Sequence, residues 1–280
     1  FRDSNLSNAK LINADLTNAN LEGANLEGAS FEAANLEGAN LFETLVKQSN
    51  LEGANLSKAI LPGDMSNMIL KNTKFIGTDL QQIKFTNSIM DYAVFDESEF
   101  GQTYFMEATL VEADLSKIKN KNMGDSIITG SVFAHANMTE IIMPKEMYGT
   151  NFNNVDASKA DFSNGDISLN YFEAANLEGA NFEGADLSGR YETFELAKNT
   201  LPNFNYNTIQ NEINPFPIYQ IMEFRDTKDF IIVDTIGYNN FIDANMKNTK
   251  FDNANLFYTD MSLANLTNSS FVNADLTDVF

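Results

Sequence analysis

A period of five runs through this chain, and neither regular secondary structure has that period. Large apolar residues recur at Leu6, Leu11, Leu16, Leu21, Leu26, Phe31, Leu36, Leu41, Val46, Leu51, Leu56 and Leu61. Two residues before each stands a small one, from Ser4, Ala9 and Ala14 through Thr44 and Ser49 to Ala54 and Ala59. An amphipathic helix calls for a period of about 3.6 and a half-buried strand for about 2. A five-residue unit must therefore carry its own turn and bring the next unit round to face the same axis. The chain then coils, the coils stack at about 4.8 Å, and alternating small and large inward residues fill the narrow interior.

The unit, seen plainly in Ala24-Asn25-Leu26-Glu27-Gly28, resembles the motif of the pentapeptide-repeat family, Ala-(Asp/Asn)-Leu-X-X. The likeness covers most of the chain and rests on dozens of units. It implies an all-β fold, a right-handed quadrilateral parallel β-helix in which four units make one coil. Residues twenty apart then stack, so Phe75 and Phe95, Phe85 and Phe105, Phe152 and Phe172, Phe162 and Phe182, and Phe251 and Phe271 are expected to form ladders of rings.

Breaks in the frame divide the chain. Residues 1–117 read as regular coils, with a slip of one residue after Pro62-Gly63. Residues 118–147 read as irregular coils that start at the basic stretch Lys117–Lys121 and end near Met143-Pro144, and 148–188 as regular coils again. Slips of this kind point to a bulge or short loop at a coil corner. Over 189–238 the period vanishes, while 239–280 resumes it at Phe241, Met246 and Phe251. Within this long non-repeat insertion, Glu192–Leu201 is expected as a short helix. Ile218–Phe224 and Phe230–Ile236 are expected as a hairpin joined by Arg225–Asp229. Phe1 sits on a repeat centre and Phe280 has no capping sequence beyond it. An open coil end exposes unpaired backbone, so continuation of the chain or an end-to-end dimer is expected.

Composition removes many chemistries. The chain has no cysteine and a single histidine, His135, which excludes disulfides, thiolate metal sites, paired imidazoles and a thiol nucleophile. His135 falls on a corner and reads as a surface side chain. Asp96-Glu97-Ser98-Glu99 lacks the spacing of a calcium loop. No phosphate loop or nucleophile elbow occurs, and a filled coil offers no cleft to raise a carboxylate pKa. No catalytic residue, cofactor or metal is expected. With 18 basic and 39 acidic residues the formal charge is −21, which disfavours direct contact with nucleic acid. No apolar run is long enough for a membrane span.

Two functions remain. The first is a non-enzymatic scaffold whose acidic rod presents the insertion to a protein partner. Long irregular segments on a rigid repeat commonly carry binding, and aromatic residues concentrate at hot spots; Tyr206, Phe216, Tyr219, Phe224, Arg225 and Phe230 are the candidates. The second follows from the resemblance: some relatives mimic duplex DNA and bind a type II topoisomerase such as gyrase. The residues for that role are Glu22, Glu27, Glu32, Glu37, Glu52, Glu173, Glu178 and Glu183, which follow repeat centres and are expected to point outward. Against it, Asn outnumbers Asp just before the centres, as at Asn20, Asn25, Asn35 and Asn40, and stacked Asn side chains form amide ladders instead.

Overall fold

The computed structural model describes residues 1–197, 219–226 and 230–280, with side chains for 1–189 and 238–280. Each five-residue unit contributes one outward residue to a short parallel bridge with the coil above. Asn5 bridges Asn25, Lys10 bridges Ser30, Asp15 bridges Asn35 and Asn20 bridges Asn40, so four units close one square coil. Between neighbouring coils each side repeats three backbone hydrogen bonds. On the side of Asn25 these are Leu26 N–H to Leu45 O (2.8 Å), Gly28 N–H to Lys47 O (2.9 Å) and Leu45 N–H to Ala24 O (3.1 Å).

The corners explain which residues the unit tolerates. A turn closes from the small residue's N–H to the preceding centre's carbonyl, as from Ala9 to Leu6 (3.0 Å). Its third residue is left-handed: Asn8 has φ 57°, Ala33 φ 53° and Gly38 φ 67°. Asparagine and glycine suit that region. At Gly38 glycine also answers a close approach, because an added Cβ would lie 2.3 Å from Asn18 Oδ1 one coil below. The outward Asn or Asp accepts the N–H two residues on, as Asn25 Oδ1 does from Glu27 (3.0 Å). Serine and threonine at the small position donate their hydroxyls either to the carbonyl of their own turn, as Ser49 does to Val46 O at 2.7 Å, or to that of the coil below, as Thr73 does to Leu51 O at 2.9 Å. Amide ladders occur in places, among them Asn55 Nδ2 to Asn35 Oδ1 at 3.0 Å.

The centres fill the interior. All five expected ring pairs stack, with centroids 5.4 Å apart for Phe75–Phe95, 5.6 Å for Phe85–Phe105, 4.9 Å for Phe152–Phe172, 4.5 Å for Phe162–Phe182 and 5.0 Å for Phe251–Phe271. Stacked columns meet edge to face, as Phe162 does Phe172 at 80°. These are the arrangements the ring quadrupole favours.

Each frame break has a structural form. Bridged residues are twenty apart in regular coils but nineteen apart across Asn50–Ile69 and Val132–Asn151, where Pro62 and Pro144 stand at corners of coils one residue short. They are 23 apart across Tyr104–Ile127, where a 3-10 turn at Lys119–Lys121 is added. That basic turn answers the acidic stretch one coil below, with Lys117 Nζ 3.3 Å from Asp96 and Lys119 Nζ 2.6 Å from Glu99. Across the long insertion Tyr171 bridges Asn240, 69 residues on, and the ring columns continue, with Phe172–Phe241 at 4.6 Å and Phe182–Phe251 at 5.1 Å.

The insertion itself corrects the helix expected at Glu192–Leu201. Strand β1 runs over Arg190–Ala197, β2 over Tyr219–Asp226 and β3 over Phe230–Gly237. Tyr191, Thr193 and Phe194 suit a strand, and the unpaired edge of β3 supplies β1 with a partner that outweighs local helix propensity. The end of the expected helix, Lys198–Leu201, lies outside the described residues. β3 is central in an antiparallel sheet of order β1-β3-β2, with a bulge between Ile221 and Glu223.

Two predictions follow from this packing. Phe172→Ala removes a fully buried ring stacked on both sides, and is expected to cost about 3–5 kcal/mol; urea denaturation at neutral pH measures it, and an unchanged midpoint would refute the ladder's role. The second concerns acid. Asp15, Asp64 and Asp275 are held below the usual carboxylate range, chiefly by the hydroxyls of Thr17, Ser66 and Thr277 and then by those residues' N–H groups. Their native pKa values are depressed, so their contribution is complete above the unfolded value of about 3.9 and is lost as pH falls through the native values. The triple Asp→Asn variant keeps the acceptor oxygens, and its stability is expected to fall less steeply below about pH 4; an identical slope would exclude these turns as the origin.

Candidate functional site

The insertion leaves and rejoins the rod at a single corner. Gly189 still belongs to the coil, because its N–H bonds Phe257 O at 2.7 Å as Gly184 bonds Asp252 O one unit earlier. Asn239 occupies the next small inward position, and its Nδ2 donates to Leu187 O at 2.6 Å, the turn carbonyl of that corner. The inserted residues are therefore 190–238, one fewer than the period alone indicated.

Beneath this corner lies a buried polar column. Asn239 Oδ1 accepts from Asn170 N–H (2.8 Å), and Asn170 Oδ1 accepts from Thr150 N–H (2.8 Å). Asn170 Nδ2 donates to Ile167 O (2.8 Å) and Met147 O (3.3 Å). Both asparagines are fully buried, where most units carry Ala, Ser or Thr. Their amides enter the corner turns and satisfy the groups that a direct turn bond joins elsewhere. A buried amide with every partner in place fixes a unique geometry, here at the root of the insertion.

The same corner is covered on its outer side. Ser168 and Leu169 are 1 % exposed although they hold corner positions, whereas Glu173 and Ala174 at the next corner are open. Leu169 and Tyr171, with Tyr148 packed against them, form a small apolar cluster apart from the coil interior. Sequence reading missed Tyr148, Leu169, Asn170, Tyr171 and Asn239. The available signal was Asn at two successive small positions of one corner, with Tyr at the neighbouring outward position.

The expected partner-binding residues fall in three groups. Tyr206 and Phe216 lie outside the described residues. Tyr219 and Phe224 are on β2 opposite Gly237 and Val233, on the face of the sheet shared with Phe194 of β1. Arg225, opposite Ile232, and Phe230, opposite Ala197, belong to the other face. The register therefore assigns Tyr219 and Phe224 to one face, opposite positions 237 and 233 of β3, and Arg225 and Phe230 to the other.

The acidic residues are exposed or half-exposed but are not gathered on one side. Successive bridges place Glu32, Glu52 and Glu173 on one corner and Glu37 and Glu178 on the next, with Glu22 and Glu183 on a third and Glu27 on the fourth. Glu22 pairs with Arg2 at 2.9 Å, Glu37 with Lys58 at 3.4 Å and Glu178 with Lys247 at 3.6 Å. His135 is an exposed corner residue at φ 60°. Among the described residues no group of three or more acidic or histidine side chains is placed to hold a metal ion, and no helix is long and apolar enough to cross a membrane.

A square parallel solenoid of five-residue units, interrupted once by a sheet, defines the class. The family model for pentapeptide repeats matches in eight copies, over residues 4–42, 34–63, 49–91, 170–189 and 244–280, more than half of the sequence. The chain belongs to the pentapeptide-repeat family, and its fold is that family's right-handed quadrilateral β-helix. Similar solved structures include HetL, a pentapeptide repeat protein involved in heterocyst differentiation regulation in the cyanobacterium Nostoc. It is 18% identical over 100% of this chain and 87% of its own, with a TM-score of 0.39. QnrB1, a plasmid-mediated fluoroquinolone resistance protein, is 15% identical over 66% of this chain and 83% of its own, with a TM-score of 0.30. A pentapeptide repeat protein of the Arabidopsis thaliana thylakoid lumen is 24% identical over 45% of this chain and 66% of its own, with a TM-score of 0.20. No curated protein matches the chain.

Proposed function

We propose that this protein is a non-enzymatic interaction scaffold, a rigid acidic rod that presents the sheet inserted at 190–238 to a protein partner. The supporting observation is the way the insertion is mounted. The coil resumes in register beyond residue 238, Asn240 bridging Tyr171, and two buried asparagines fix the corner from which the insertion leaves. A solenoid needs no such segment for its own closure, so a precisely rooted insertion reads as cargo of the rod. The sheet offers β1 and β2 as edge strands, and edges accept further strands from a partner. The spread of the glutamates over four corners gives less support to an acidic stripe that imitates a nucleic-acid backbone.

Excision of 190–238, joining Gly189 to Asn239, restores the twenty-residue spacing. The shortened rod is expected to keep its β circular dichroism and to lose the partners that the intact chain captures from native extract. Retention of the same partners would refute the role of the insertion, and equal recovery of gyrase by both chains would move the binding to the acidic coil. A finer test sets Tyr219→Ala/Phe224→Ala against Arg225→Ala/Phe230→Ala. Only the pair on the partner-facing side of the sheet is expected to weaken binding, by about 2 kcal/mol or more for a hot spot; equal effects would mean the sheet had simply unfolded.

A further inference from the structure

The short coil at Pro62 leaves a slot in the wall of the rod. Above and below it the three inter-coil bonds of this side are intact. Leu26, Gly28 and Leu45 supply them below, and above it Met65 bonds Lys84 O (2.8 Å), Asn67 bonds Thr86 O (2.9 Å) and Lys84 bonds Gly63 O (3.1 Å). Between 44–48 and 64–67 none of the three forms among the described residues. The lower lip keeps the Val46 and Gln48 N–H groups and the Thr44 carbonyl, and the upper lip keeps the Asp64 N–H and the Asp64 and Ser66 carbonyls. A cavity of about 500 Å³ separates them, lined by Thr44, Leu45, Val46 and Met68 with Lys47 and Asp64 at its mouth. Leu45 is 58 % exposed beside it, while Val46 and Met68 are buried at its floor.

We propose that this slot binds an extended peptide segment of a partner protein, which enters as one extra parallel rung. The complementarity is specific. A five-residue unit of this chain's own pattern carries a complementary donor or acceptor for each of the six groups, in a slot that is closed at its two ends by Leu41 N–H to Ile60 O (2.8 Å) and Leu51 N–H to Ile69 O (3.1 Å). Its first, second and fourth carbonyls accept from Asp64, Val46 and Gln48. Its second, third and fifth N–H groups donate to Thr44, Asp64 and Ser66. Its third side chain enters the cavity against Val46 and Met68, so that residue is aliphatic. Strand addition of this kind takes affinity from main-chain bonds and selectivity from the inward side chain. The other short coil, at Pro144, is not equivalent. There Gly130 N–H still bonds Tyr148 O at 2.9 Å, and the gap is only about 180 Å³. The site lies in a different coil from the insertion and does not depend on its function.

The test uses the whole chain and the blocked pentapeptide acetyl-Ala-Asn-Leu-Glu-Gly-amide, the sequence of residues 24–28. In the free protein the amides of Val46, Gln48 and Asp64 are expected to exchange with solvent faster than their ladder equivalents Leu26, Gly28 and Lys84. With the peptide at millimolar concentration they are expected to shift in the amide NMR spectrum and to slow in exchange. The same peptide N-methylated at leucine cannot donate to Asp64 O and is expected to lose the effect. A one-residue insertion after Pro62 restores the spacing and is expected to close the slot. Three amides already as slow as their equivalents in the free protein would overturn the proposal, as would spectra unmoved by the peptide or equal binding of the N-methylated form.

Discussion

The inter-coil backbone hydrogen bond is the interaction on which this molecule depends. Each side of a regular coil contributes three such bonds, and they form only if the chain returns to the same height after four units. Everything inward follows from that return, because rings twenty residues apart are held at the coil spacing and stack without further instruction. Everything outward is released from it, because two corner residues and one flat residue per unit face solvent. Stability is thus local and repeated, set by neighbours along the rod rather than by contacts between distant parts of the chain.

Departures from the period therefore carry the information about use. The extra turn at Lys119–Lys121 is absorbed at a corner and neutralises the acidic stretch below it. The insertion at 190–238 is absorbed as well, through Asn170 and Asn239, whose amides replace missing turn contacts in the interior. The coil shortened at Pro62 is not absorbed: among the described residues its ladder to 44–48 below and its ladder to 79–82 above are both open, and a cavity lies at each. Of the four interruptions, the insertion is mounted, the extra turn is compensated, the short coil at Pro144 keeps one ladder bond, and the short coil at Pro62 is left as a gap.

Much of the fold was legible because the period is enforced by geometry. The twelve regular centres and the position of each slip could be read from spacing, and the five ring pairs from the four-unit coil that the family resemblance implies. The strand at Arg190–Ala197 was not, because Glu192–Leu201 carries helix-compatible residues and its strand state depends on β3, more than thirty residues away. The covered corner at Ser168–Tyr171 was also hidden, since nothing in Ser168-Leu169-Asn170-Tyr171 states that the insertion leaves one coil later on the same edge. Of the candidate site, the existence of the insertion was visible, but the division of Tyr219 and Phe224 from Arg225 and Phe230 required the register of the sheet.

The outward Asn or Asp of each unit matters to the turn only through one oxygen. Asn25 and Asp15 accept the same amide two residues on, with nearly the same geometry. Exchange between the two residue types therefore leaves the scaffold unchanged while adding or removing a full negative charge. Surface potential on such a rod is a variable that evolution can tune site by site without touching the fold. Two members of identical shape can then be strangers electrostatically, and the charge that Asp15, Asp156 or Asp275 adds to the −21 of this chain is not a demand of the β-helix.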